Sequence, residues 1–189
     1  MNTLTTSGAV WYLMRATGVV TLILLTAVFA LGIATTTRWR TARLPGFATL
    51  NLHRSISLLA VVFLTVHVAT AVIDPYAAVG VAAVVFPFVA GKSAFWVGLG
   101  ALSLDLTLAL IVTSLLRRRL SLRVWRAVHW AAYLSWPFAL FHALGMGSDT
   151  GTLWLRAVAG ACVLAVVAAV VQRLRYAGAT GKRLEPQPA

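Results

Sequence analysis

Four histidines are the residues best suited to chemistry, and they come as two pairs: His53 with His67, and His129 with His142. The 189 residues hold no others. Fourteen residues separate the first two and thirteen the second, a rise of about 20 Å along a helix at about 1.5 Å per residue. Both pairs lie in apolar runs, Leu52 to His67 and His129 to His142, so each run sets one imidazole near either face of a bilayer. A neutral imidazole offers one ring nitrogen to a metal while the other carries a proton. Two such runs side by side therefore supply two imidazole pairs, each able to fill both axial positions of a haem iron. Zinc or copper fits poorly. Pairs about 20 Å apart make two separate two-ligand sites, with no cysteine or carboxylate evident to complete them.

The elements that must position these residues are membrane spans. At 60% hydrophobic and 11% charged, with a mean hydropathy of +0.89, the chain is too apolar for a soluble domain of its length. Apolar runs predict five transmembrane helices at about 11–34, 50–73, 93–116, 124–144 and 152–172, in one domain over 1–189 with a short basic tail at 173–189. The first run is too long for a signal-peptide core, and its nearby charge, Arg15, lies inside it. Gly32-Ile33-Ala34 resembles a small-residue cleavage site only faintly. The formal charge of +12 does not point to nucleic acid, because the basic residues cluster between spans, as the positive-inside rule expects. Arg38, Arg40 and Arg43 form one cluster, and Arg117, Arg118, Arg119, Arg123 and Arg126 another. Both belong on the cytoplasmic side, so two crossings separate them. The apolar stretch 76–90, short and interrupted by Pro87, must then lie on the outer face without spanning. The expected fold is an all-α integral membrane bundle, N-out and C-in.

Orientation fixes which histidines can meet. The second and fourth spans both run outward, which sets His53 level with His129 near the cytoplasm and His67 level with His142 near the outside. On an ideal helix at about 100° per residue, His53 and His67 share a face, whereas His129 and His142 are roughly 140° apart. Pro137 lies between the latter two, and a tightening or kink there is one way to bring them round.

Other residues gain candidate roles from depth. Arg15 and Arg54 are the first candidates for pairing with haem propionates, followed by Arg123, Arg126 and Arg156, since arginine grips carboxylates bidentately. The alternative is that they reach lipid phosphate. Asp105, in the middle of the third span, is costly there; it would bond a ligand histidine, assist proton movement or pair with a nearby hydroxyl. Trp130, Trp136, Phe138 and Phe141 are candidates for haem-pocket walls or for lipid-facing aromatics.

The His-x13-His and His-x12-His spacings, with Arg15-Ala16-Thr17-Gly18 and His53-Arg54, resemble the ferric reductase-like transmembrane domain over roughly Val10 to Gln172. That domain is shared by ferric reductases, NADPH oxidases and the membrane subunit of the bacterial methionine-sulfoxide repair system. The resemblance implies two haem b groups on His53, His129, His67 and His142, carrying electrons from the cytoplasmic side to the opposite side of a prokaryotic cytoplasmic membrane. Unlike the full reductases, only seventeen residues follow Gln172, and no glycine-rich nucleotide loop is present. The chain is therefore expected to need a partner, as an oxidoreductase membrane subunit without its own flavin or nicotinamide domain. The donor would be a cytoplasmic flavoprotein or membrane quinol. The acceptor would be ferric iron, oxygen, or an extracytoplasmic flavin or molybdenum protein. A membrane haem sensor or scaffold that passes no current is the alternative.

Overall fold

The computed structural model describes residues 3–36, 46–77, 79–146 and 151–182. Its helices, in chain order, are α1 (Thr3–Thr36), α2 (Gly46–Ile73), α3 (Val81–Val85), α4 (Ala94–Leu115), α5 (Leu122–Trp130), α6 (Ala132–Met146) and α7 (Leu153–Lys182). No strand occurs among the described residues. Helices α1, α2, α4 and α7 are each long and apolar enough to cross a membrane. The molecule is an integral, multi-pass membrane helix bundle. Arg38, Trp39, Arg40, Arg43, Arg183 and the loop residues 147–150 lie outside the described residues.

The fourth span departs from expectation. In place of one helix over about 124–144 there are two, α5 and α6, parted at Ala131 rather than at Pro137. At the break, Ala131 N–H donates to the Val128 carbonyl and Leu134 N–H to the Ala131 carbonyl, both at 2.9 Å. These i→i−3 bonds wind the chain at about 120° per residue instead of about 100°, and so take up part of the offset between His129 and His142. Pro137 stays inside α6; neighbouring helices let a membrane helix tolerate the missing N–H. Ser121 begins α5, its hydroxyl accepting from Val124 N–H at 3.3 Å, as a helix N-cap does. Helices α1, α2 and α7 run longer than the expected spans, while α4 closely matches its own. Residues 173–182, expected as tail, continue α7 as helix.

Pro75 stops α2, because it has no N–H to continue the ladder and disfavours a helical residue before it. Asp74 closes the turn, accepting from Tyr76 N–H at 2.8 Å. The segment after it does not span: α3 has five residues, and the turn at Pro87–Phe88 puts Phe88 at φ 68°. That left-handed residue lays its ring directly on Gly98 of α4, beside Phe95 at 6.3 Å between ring centres.

Helix α1 is the central post, with α2, α6 and α7 all packed along it. Leu155, Ala159, Cys162, Val166 and Ala169 are buried on α7 at alternating spacings of four and three, the seam of a left-handed helix pair. Leu22 of α1 with Trp136 and Leu140 of α6 completes the core they meet. Lipid supplies little hydrophobic drive between helices, so close packing and polar links must hold them. Polar links of this kind cross between elements: Trp136 Nε1 donates to Thr26 Oγ1 at 2.9 Å, and Ser103 Oγ donates to the Ser135 carbonyl at 2.9 Å.

A candidate cofactor site between α2 and α6

The four histidines sit on α2, α5 and α6. Helix α2 packs chiefly on α1, and α6 on α4 and α1; α2 and α6 are not among the well-packed pairs. The imidazoles therefore face one another from helices braced elsewhere.

His67 and His142 stand with ring centres 6.2 Å apart and planes 75° to one another. Each is held from behind. His67 Nδ1 lies 2.9 Å from the Met14 carbonyl of α1, and His142 Nδ1 lies 2.9 Å from the Trp96 carbonyl of α4. A carbonyl only accepts, so both rings carry their proton on Nδ1, which leaves the Nε2 lone pair free to bind. A carbonyl partner on the second nitrogen is the usual support of a metal-binding imidazole.

His53 lies within electrostatic reach of His129 and His67 faces His142, so α2 runs in the same direction as α5–α6. At the early pair the support is looser. The Nδ1 atoms of His53 and His129 are buried without a hydrogen bond. Trp125 covers His129 instead, its indole stacked on the imidazole at 4.0 Å between centres and 29° between planes. Arg117 lies over the far face of the assembly, 4.9 Å from the Trp125 ring.

The candidate arginines spread widely. Arg15 is half-buried one residue past Met14, at the depth of the His67–His142 pair, and its guanidinium sits 4.2 Å from the Trp11 ring centre. Arg54, next to His53, is exposed, as are Arg123, Arg126 and Arg156. Asp105 is half-buried in mid-α4, but carbonyls, not this carboxylate, hold Nδ1 of the outer histidines. Of the aromatic residues, Trp136 is taken up in the α1–α6–α7 core. Trp130 and Phe141 are 55% and 51% exposed, and Trp130 lies under Arg173 at 4.9 Å.

Sequence reasoning passed over Met14 and Trp96, whose contribution is a carbonyl and so leaves no mark in residue type. It also passed over Trp125 and over Gly18, Gly32 and Gly100, which lie against His67, His53 and His142 respectively. For the first two glycines a signal existed. Gly18 and Gly32 are fourteen residues apart, as His53 and His67 are, the register of two antiparallel helices.

No curated protein and no solved structure matches this chain. A family model does, over residues 17–140, a stretch that contains His53, His67 and His129 and stops two residues before His142. With about two-thirds of its length matched, the chain belongs to the family of ferric reductase like transmembrane components.

Proposed function

We propose that this protein carries single electrons across a membrane through two haem b groups, one held by His67 and His142 and the other by His53 and His129. Family membership supports the coarser part, an oxidoreductase-type electron transfer across a membrane. The observation that carries the finer part is the 6.2 Å between the His67 and His142 ring centres. Two collinear metal–nitrogen bonds of about 2 Å, plus about 1 Å from each nitrogen to its ring centre, give about 6 Å. The donor set fits as well. No group of three or more His, Cys, Asp or Glu gathers among the described residues, which suits an iron that brings four in-plane nitrogens of its own.

When bound, haem supplies a reversible one-electron couple, tuned by its axial ligands and surroundings. The chain's residues do the rest. Met14 and Trp96 fix the tautomer and direction of the outer imidazoles. His53 with His129, and His67 with His142, would hold the two haems from both sides, so each haem would supply electron transfer without binding the acceptor. Arg54 and Arg15 are placed to neutralise propionates, Arg54 at the level of the inner pair and Arg15 at the outer. Apolar packing around α1 keeps water and its high dielectric from the path.

The current runs from a cytoplasmic flavoprotein or membrane quinol to an extracytoplasmic acceptor, in the cytoplasmic membrane of a prokaryote. Proteoliposomes test this. With a reductant sealed inside and a ferric chelate outside, the visible haem bands should reduce and the chelate should follow. Haem that reduces and never passes its electron outward would make the protein a sensor; absence of haem bands would end the proposal.

A further inference from the structure

The structure assigns a positioning role to two glycines: we infer that Gly18 and Gly100 each open the backbone of one helix so that an imidazole from its neighbour can seat against the carbonyl one turn earlier. The inference rests on the dihaem reading for its purpose, though its geometry stands without it.

In an α-helix the carbonyl of residue i−4 bonds the N–H of residue i, which leaves one lone pair spare. The side chain of residue i leans toward the helix N-terminus and covers the turn that holds that carbonyl. A glycine at i uncovers it. The outer site uses this twice, on different helices. Met14 is four residues before Gly18 and accepts from His67 Nδ1 at 2.9 Å; a Cβ on Gly18 would lie 2.9 Å from the ring's Cε1 and 3.0 Å from Nδ1. Trp96 is four before Gly100 and accepts from His142 Nδ1 at 2.9 Å; a Cβ on Gly100 would lie 2.6 Å from Nδ1 and 2.8 Å from Cε1.

The inner site lacks the device. A Cβ on Gly32 would stand 3.5 Å from His53 Cε1, an ordinary contact, and His53 Nδ1 is buried without a hydrogen bond. His129 has no glycine seat: the Trp125 indole braces the ring. Not every glycine in the bundle serves this end. Gly8 and Gly160 also sit in helices, and a Cβ on either would meet open space. A helical glycine is less favourable than alanine in water, so the seats have a cost that access to the carbonyl offsets.

The test is alanine at each position in the purified full chain, with Gly8→Ala, Gly32→Ala and Gly160→Ala as controls. Haem per chain is counted as the pyridine haemochromogen, and electron paramagnetic resonance reads each ferric haem's low-spin signal, which follows ring orientation and the Nδ1 bond. Gly100→Ala, with the tightest clash, should reduce about two haems per chain to about one. Gly18→Ala should shift or abolish the outer signal while the inner haem still reduces with dithionite. All three controls should keep two haems and both signals. Should Gly100→Ala fail to fold, Gly18→Ala decides alone. Two haems with unmoved signals in Gly18→Ala, or loss of both haems together, would overturn the inference. A wild-type chain without haem would instead overturn the reading beneath it.

Discussion

An imidazole ligand is only as well aimed as the partner on its other nitrogen, and here the two levels differ. The outer rings are each tied to a carbonyl at 2.9 Å, while the inner rings have buried Nδ1 atoms without a hydrogen bond. Tryptophan takes over at the inner level, where Trp125 stacks on His129. Trp125→Ala should therefore alter the inner haem's optical and magnetic signature and leave the outer one unmoved, which low-temperature visible spectra would register. Arginine acts on potential rather than on ligation. Loss of a cation near a propionate disfavours the reduced, more negative state, so Arg54→Gln should lower the inner haem's midpoint by tens of millivolts. Spectroelectrochemical titration of wild type and variant checks this, with two haems retained in both. An unchanged inner midpoint would place Arg54 with lipid phosphate instead.

Among the elements, the helix pairings explain why α2 and α6 do not pack closely on one another. Each is committed to another partner: α2 to α1, and α6 to α4 and to the core with α1 and α7. The bond from Trp136 Nε1 to Thr26 Oγ1 is part of that commitment. Thr26→Val keeps the shape and leaves a buried N–H without an acceptor. It should cost about 0.6 to 1.7 kcal/mol, the measured range for such links in membranes, and lower the thermal midpoint in detergent without loss of haem.

Much at this scale was legible beforehand. Run length gave the four long spans α1, α2, α4 and α7, and the short apolar stretch at 76–90, interrupted by Pro87, holds only the five-residue α3. The spacing of the histidines, fourteen and thirteen, gave their matching levels. Azimuth on α5–α6 was not legible, because the tightened turn at Ala131 depends on backbone bonds that no residue in Trp130-Ala131-Ala132 announces. The carbonyl seats were hidden for the same reason, since any residue type can present a carbonyl.

For the whole molecule, sidedness is what turns two sites into a directed path. Thirteen of the sixteen basic residues belong to the expected cytoplasmic side, and on the proposed reading His53 and His129 lie inward. The lone cysteine, Cys162, is buried at 5% exposure, so introduced cysteines can report sidedness cleanly. In a Cys162→Ala background, Lys92→Cys should react with a membrane-impermeant maleimide in intact cells, and Arg118→Cys only after permeabilisation. The reverse pattern would invert the proposed current.

The central claim is that facing imidazoles grip one haem at each of two levels, and haem stoichiometry tests it most directly. Pyridine haemochromogen assays on the purified chain should give about two haems for wild type and about one for either His67→Leu or His142→Leu, with the remaining haem still reduced by dithionite. No haem in the wild type, or equal loss of both haems from every histidine variant, would contradict it.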